Sequence, residues 1–500
     1  MKQLKLIVLI CAAQVFLVST SYAQPKINSA GVTMPGPKLG VAWGFTYGYN
    51  NKAAIFLPQL RNLGVHLTKL YLFWQQVEPV KGQYQWNAVD TFVNQLASSD
   101  EALISVSSAS TWATKISSPM LPFSPAKSPE EYYTFVFDLV KHCKGKIKLW
   151  QNDSEPNNPV YWNGTADDFI GQLKIFYRAV KDADPAAQVV MGGYDGLFNP
   201  PGMPEIPGQQ YGLSFFRKAI KEASAYFDIF DIRLYANPYT IPARVEYFEK
   251  QLADSALHQP IICTEYNGPG FFGFPVNFKY IGQVTEWQRV IAARDTAAYL
   301  KMGNPIAKMY DSINSLAPQT QMFMMGSSKE LNDKYDRLQC RDIVMRNILA
   351  FSAGVQKTMY WDLWHDTNEK NDLMTLMFGK NKLLDYENGK LDMEHPEAAV
   401  FKRLAGYLNN IKSIKRIDVA DKPSLYFYEL SGVGKTIYVA WEKRDTFSGE
   451  DQPATHYVLP WHANKAKATD IFGNTITAVV SKDNIAIDIS ATPVFIEMNK

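Results

Sequence analysis

The sequence predicts an α/β fold: a (β/α)8 barrel followed by a C-terminal antiparallel β-sandwich. Three observations carry this prediction. Short apolar runs alternate with longer amphipathic stretches, eight such runs precede residue 365, and from about residue 413 the pattern changes to short alternating strands.

The eight runs span 39–46, 67–74, 102–109, 146–153, 188–196, 227–235, 260–267 and 356–364. Between them lie stretches such as 129–143, 166–183, 211–225 and 334–351, whose apolar positions recur at three and four, the spacing of a helix with one buried face. Eight parallel strands is the number that closes this kind of barrel. The connections after the fifth and seventh runs, 197–210 with four prolines and 268–283 with aromatic, glycine and proline residues, are expected as long loops on the C-terminal face, where such barrels place their chemistry. The later segments 424–429, 436–441, 475–480 and 493–498 are separated by turn residues and predict a small sandwich packed on the barrel.

The chain ends and the composition set the class. Lys2 and Lys5, the apolar stretch 6–18 and Ser21-Tyr22-Ala23 follow the order of a secretory signal, so 1–23 is expected to be removed, leaving a barrel domain 24–412 and a sandwich 413–500 in a secreted or periplasmic protein. The stretch is too short for a membrane span, and no later run reaches 18 apolar residues. Cys143, Cys263 and Cys340 remain beyond the signal; an odd, scattered set is neither a disulfide framework nor a zinc motif. A net charge of +2 from 51 basic and 49 acidic residues gives no field for steering nucleic acid or anionic membrane, which favours a neutral substrate. Aromatic residues make up 13% of the chain, enough for sugar-stacking platforms, although aromatics also fill cores.

Cleaving a glycosidic bond with retention needs two carboxyl groups about 5 to 5.5 Å apart, one to protonate the leaving oxygen and one to attack the anomeric carbon. Acidic residues at the C-terminal ends of two barrel strands meet that need. The fourth run ends in Leu149-Trp150-Gln151-Asn152-Asp153-Ser154-Glu155-Pro156-Asn157, where the proline stops the strand and leaves Glu155 on the rim. The seventh ends in Pro260-Ile261-Ile262-Cys263-Thr264-Glu265-Tyr266-Asn267-Gly268 and delivers Glu265 to the same mouth. A lone Glu before Pro is ordinarily a solvated strand end; the second Glu at a matching position favours chemistry. Cys263, two residues before Glu265, is expected on the same side of the strand as a buried small apolar residue, because no His is placed to activate it. His365 with Asp362 and Asp366 is read as a polar loop rather than a metal site, and Asn163-Gly164-Thr165 is a glycosylation sequon.

With these segments stand Phe73-Trp74 followed by Val77-Glu78-Pro79, Gly82, Tyr84, Trp86 and Asp90, then Ala183-Asp184-Pro185, and Gly354-Val355 leading to Tyr360-Trp361. In that order and on those strands they resemble glycoside hydrolase clan A, most like family 39, which includes β-xylosidases and exopolysaccharide hydrolases. The resemblance implies that Glu155 is the general acid/base and Glu265 the nucleophile, that Tyr235 donates to Glu265, that Trp361 forms the floor under the sugar, that Trp74 and Trp150 line walls, and that no metal or organic cofactor is used. It also implies a structural role for Glu78. Catalysis then requires a raised pKa at Glu155 and an ionised Glu265.

The sequence departs from the clan's pattern at three places. Ser154 stands where an Asn normally bonds the sugar's 2-hydroxyl, with Asn152 or Asn157 as the alternative donor; Lys69 stands where strand two often carries Arg; Arg233 stands where strand six often carries His. These departures bear on substrate and subfamily rather than on reaction type. The sequence therefore reads as a retaining β-glycosidase acting on a poly- or oligosaccharide. An endo-acting glucanase or mannanase of a related clan family, or a non-catalytic glycan-binding barrel, are the alternatives. A binder has no need of two acids at those strand ends, which favours the enzyme.

Overall fold

The computed structural model describes residues 36–43, 53–196, 198–200, 203, 205–206, 208–292, 296–364 and 369–499. The expected signal 1–23, the end of the first run at 44–46, and His365 and Asp366 lie outside these residues.

Eight parallel strands form one sheet: β1 Lys38–Ala42, β2 Leu67–Phe73, β3 Glu101–Ser107, β4 Leu149–Asn152, β5 Gln188–Val190, β6 Phe230–Arg233, β7 Ile261–Tyr266 and β8 Lys357–Tyr360. Their order is β5-β4-β3-β2-β1-β8-β7-β6, and parallel bridges Val190–Ile229 and Tyr194–Ile232 bring the two edges together, so the sheet closes into the predicted barrel. Each strand occupies one of the eight apolar runs. Helices Pro129–His142, Ala166–Ala183, Gln209–Glu222 and Lys329–Ser352 cover the outside where three-and-four spacing places them. Ala166–Ala183 shows why the boundaries are sharp: Thr165 accepts from the Asp168 N–H, and Asp168 bonds the Thr165 N–H in return, a reciprocal cap on the first turn.

The barrel's lower interior is one apolar layer. Leu67, Leu103, Leu149, Val190, Ile229, Ile262 and Met359, from seven positions round the barrel, form a single buried cluster. On β1 the corresponding residue is Gly40; a Cβ there would lie 2.7 Å from the Leu67 side chain and 2.5 Å from its carbonyl oxygen. Gly40 therefore lets Leu67 close the layer.

The expected loop 268–283 is irregular chain and short turns as far as Tyr280, but it is packed rather than open, and helices follow it. Short turns Phe271–Gly273 and Pro275–Tyr280 lead into helices Ile281–Ala292, Thr296–Met302 and Pro305–Asp311. Phe271, Phe274, Ile306, Met309 and Phe323 bury one another, with Leu373 and Leu376 joining from beyond β8. The aromatic content that suggested a binding loop fills a second apolar core instead.

After a hairpin of β9 Leu384–Glu387 and β10 Lys390–Glu394 come β11 Ile411–Arg416, β12 Leu425–Gly432, β13 Lys435–Glu442, β14 Thr455–Pro460, β15 Lys465–Asp470, β16 Thr475–Ile476, β17 Ala478–Ser481, β18 Asn484–Ile489 and β19 Val494–Asn499. They build antiparallel sheets β11-β12-β13-β19-β15-β16 and β14-β18-β17. Side chains alternate between two cores. Leu425, Phe427, Ala440, Val494 and Ile496 face the smaller sheet, whereas Tyr426, Tyr428, Val439, Trp441 and Phe495 join the cluster that runs into the barrel. Pro35–Lys500 accordingly forms one compact unit. Among the described residues no helix is long and apolar enough to cross a membrane.

Candidate active site

The site grows out of the strand periodicity that made the floor. Two residues above Leu67 on β2 comes Lys69, and two further on Tyr71; above Leu149 on β4 comes Gln151; above Ile229 come Asp231 and Arg233 on β6; above Ile262 on β7 comes Thr264. All are buried, so the barrel passes from an apolar layer to a hydrogen-bonded ionic one within a step of about 6.6 Å.

β7 then breaks the alternation. Asp231 and Arg233 of β6 pair with Ile262 and Glu265, and on the other side Thr358 and Tyr360 of β8 pair with Cys263 and Tyr266, so β7 carries one extra residue against both neighbours. This bulge lets Thr264 and Glu265 both face the interior. It also corrects the expectation for Cys263. The thiol lies in the cluster between sheet and helices, on the opposite face from Glu265, and burial pushes it up to about 12.

β4 reaches the mouth by a different device. Asp153 and Glu155 both have positive φ, 52° and 48°, a region that ordinary side chains rarely occupy. The Asp153 carboxylate is drawn outward, accepting from the Ser108 N–H at 2.7 Å and from Gln172 Nε2 at 3.0 Å. The reversal leaves Glu155 over the barrel.

One guanidinium ties the two glutamates together. Arg233 lies 3.4 Å from Glu155 Oε1 through Nε and 3.1 Å from Glu265 Oε1 through Nη2. It also donates to Ser154 Oγ at 2.7 Å, to Thr264 Oγ1 at 2.6 Å and to Asp231. Glu265 Oε1 further accepts from Lys69 Nζ at 2.9 Å and from the Tyr71 hydroxyl, while Oε2 accepts from the Tyr235 hydroxyl at 3.0 Å. Asp231 is held in turn by the Thr264 N–H at 2.9 Å and Gln151 Nε2 at 2.6 Å.

These contacts push the two carboxyl groups apart. Burial alone raises Glu265, but the charges of Arg233 and Lys69, with hydrogen bonds from Lys69 and Tyr71, outweigh it and hold the group well below the usual carboxylate range. Glu155 moves the other way: burial first, then the charge of Glu265, lifts it well above that range against the pull of Arg233, and Asp195 adds to the rise. Lys69 is pushed down to about 8 by burial and by the neighbouring Arg233 charge.

The expected site residues divide into two groups. Glu155, Glu265, Ser154 and Tyr235 meet in this network, and Trp361 sits beside it, its ring edge-on to Tyr71 at 6.0 Å and its buried Nε1 without a protein partner. Trp74, Trp150 and Asn152 point elsewhere. Trp74 is wholly buried, stacks on Phe135 at 4.8 Å and donates to Glu78 at 2.8 Å, bracing the loop after β2. Trp150 follows the floor residue Leu149 by one position and so faces the helices. Asn152 shares that face, and its Oδ1 accepts from the Gly192 N–H at 3.3 Å. Asn157 is likewise engaged, accepting from the Asp195 N–H at 3.2 Å. Trp74, Trp150 and Asn152, all without solvent exposure, therefore do not line the mouth.

Sequence reasoning passed over Tyr71, Asp231, Thr264 and Asp195, and also Phe378, whose ring lies 6.0 Å from Tyr235. Inward alternation from the floor residues would have found the first three. The three departures from the clan's pattern turn out to be neighbours: Arg233 reaches Ser154, and both Arg233 and Lys69 reach Glu265. The planar fork missing from β2 is supplied from β6. Among the described residues no three His, Cys, Asp or Glu side chains are grouped to hold a metal ion.

A parallel (β/α)8 barrel with two buried glutamates tied together at its C-terminal mouth defines the class of molecule. No family profile matches the sequence, and no curated protein matches it. Solved structures do. A family 39 glycoside hydrolase from Bacteroides cellulosilyticus WH2 aligns with a TM-score of 0.60 at 15% identity over 93% of this chain and 81% of that one. A family 39 β-xylosidase from Caulobacter crescentus gives 0.55 at 13% identity over 93% and 98%. A family 30 subfamily 8 xylanase from Clostridium acetobutylicum gives 0.51 at 10% identity over 93% and 97%. The chain thus has the fold of clan A glycoside hydrolase families 39 and 30.

Proposed function

We propose that the protein is a secreted, retaining β-glycosidase that cleaves O-glycosidic bonds of a poly- or oligosaccharide by double displacement. The observation that carries this reading is the pair Glu155 and Glu265, facing one guanidinium and driven to opposite protonation states. Glu155, carrying its proton, protonates the departing glycosidic oxygen. Glu265, ionised, attacks the anomeric carbon to form a covalent glycosyl-enzyme, and Glu155 then takes a proton from the water that hydrolyses it. Oε1 of Glu265 is saturated by Lys69, Tyr71 and Arg233, whereas Oε2 meets only Tyr235 among these donors, so Oε2 is the attacking atom. Trp361, with its unpartnered indole N–H, supplies the apolar floor and one donor for the sugar.

The neighbours named as a β-xylosidase and a xylanase support a β-linked plant-type or microbial glycan as substrate. The near-zero net charge agrees with a neutral one. Residues 1–23 support export, which N-terminal sequencing of the mature protein checks. The enzymatic reading is tested by assaying wild type and Glu265→Gln on a panel of aryl glycosides and polysaccharides, with the product anomer followed by proton NMR. Retained configuration and loss of turnover in Glu265→Gln are expected. Turnover unaffected by the substitution would overturn the reading, and inversion would overturn the double displacement.

A further inference from the structure

Arg233 is the most heavily engaged side chain in the barrel and has no solvent exposure. Its guanidinium meets Asp231 on its own strand, Thr264 and Glu265 on β7, and Ser154 and Glu155 beyond β4. Its seat is made by small residues. A Cβ at Gly193 would stand 2.2 Å from Nη1 and 2.7 Å from Cζ, so any side chain there displaces the guanidinium. On the other side Ser154 offers a short hydroxyl acceptor. The backbone beneath is pinned by Arg244, which donates to the carbonyls of Arg233, Tyr235 and Gly196 at 2.8, 2.7 and 2.7 Å. Arg233 therefore has neither room nor freedom to swing away.

We infer that Arg233 is a positioning residue that divides one proton between Glu155 and Glu265, and that Ser154 and Gly193 are small because they form its seat. The inference rests on the glycosidase reading above. Its contacts are unequal: Glu265 receives both Arg233 and Lys69, at 3.1 and 2.9 Å, while Glu155 touches only Arg233 Nε, at 3.4 Å. The groups that face the guanidinium are Lys69 and Tyr71 from β2, Glu155 and Ser154 after β4, Asp231 on β6 and Tyr235 just past it, and Thr264 and Glu265 from β7, while Asp195 after β5 acts on Glu155. Lys69 and Arg233 are already matched by Asp231 and Glu265, and Asp195 adds a further acid beside Glu155. Ionising Glu155 would therefore put one more negative charge into a buried cluster that, among the described residues, has no additional cation to meet it. Lysine in place of Arg233 keeps a charge opposite Asp231 but is a point donor, and cannot reach both glutamates at once.

The test compares wild type with Arg233→Lys, Gly193→Ala and Ser154→Ala, each first checked for a cooperative thermal melt. In Arg233→Lys the acid limb of kcat/KM is expected to move up by about one pH unit or more, a tenfold change in proton affinity at Glu265. KM should change less than kcat. Gly193→Ala and Ser154→Ala shift the same limb the same way by less, and carry the test if Arg233→Lys does not fold. A second readout does not need turnover: NMR titration of 13C-labelled glutamate carboxyls, assigned with Glu155→Gln and Glu265→Gln. Unmoved limbs and unmoved titrations in folded variants overturn the inference and leave the glycosidase reading intact. If Glu265→Gln retains full turnover, the glycosidase reading falls, and the NMR titration alone upholds or overturns the division of the proton.

Discussion

The floor and the mouth of the barrel are built from the same strands, two residues apart, and they have nothing chemically in common. The floor is seven apolar side chains with a glycine completing the ring, and it contains no charge. The layer above holds Lys69, Gln151, Asp231, Arg233 and Thr264, all buried and bonded to one another. The difference shows that the floor contributes stability through packing, which is indifferent to pH. The mouth holds charges in place at the expense of desolvation, so its energetics depend on proton concentration at every step.

Removing a mouth carboxyl should give the largest effect. Glu155→Gln is expected to lower kcat by roughly 10²- to 10⁴-fold, most on substrates with poor leaving groups. Leu103→Ala in the floor is expected to cost about 2–5 kcal/mol of stability with KM and the shape of the pH profile unchanged. Denaturant melts beside steady-state kinetics separate the two, and a floor variant that moved a kinetic limb would break the contrast.

Next comes pH itself. Glu155 has a raised folded pKa, so the folded state binds the extra proton; its contribution to stability is present below the ordinary carboxylate range and is lost as pH rises through the raised value. Lys69, lowered to about 8, works in the opposite sense, and between about 8 and the usual lysine range folding is favoured as pH rises. Activity should fall on the alkaline side as Glu155 loses its proton, and Glu155→Gln should abolish that limb. Thermal melts against pH should show the loss in Leu103→Ala to be constant across the range while that in Lys69→Met varies.

The tryptophans give a smaller separation. Trp361→Ala is expected to raise KM by about tenfold, a change of about 1.4 kcal/mol, whereas Trp74→Phe should leave KM alone and lower stability by about 1–3 kcal/mol through the lost bond to Glu78 and lost packing. Smallest of all, Cys263→Ala should cost about 1 kcal/mol without altering kcat, and native protein should leave this thiol unreacted with alkylating reagents.

Much of this was legible in advance because parallel strands are short apolar runs bounded by polar turns, and all eight stood out. The two glutamates were legible because each ends such a run. Tyr71, Asp231 and Thr264 were equally readable by counting in twos from Leu67, Ile229 and Ile262, and the same count puts Trp150 outside. What the sequence does not carry is the extra residue in β7, which sets Cys263 and Glu265 on opposite faces, or the packing of the turn Phe271–Gly273 and the helix Pro305–Asp311 into one core with Phe323. Both depend on partners distant in the chain rather than on local pattern.

Strand β12 sends Leu425 and Phe427 into one core and Tyr426 and Tyr428 into another. Tyr426 also packs on Tyr239 at 4.8 Å, and Trp441 donates to the Tyr239 hydroxyl at 3.2 Å, four residues past Tyr235. The C-terminal sheets are thus no detachable cassette. A shuffled or truncated chain that ends near residue 412 would lose the outer buttress of the turn that aims Tyr235, so recombination must carry barrel and sheet together for either to keep its shape.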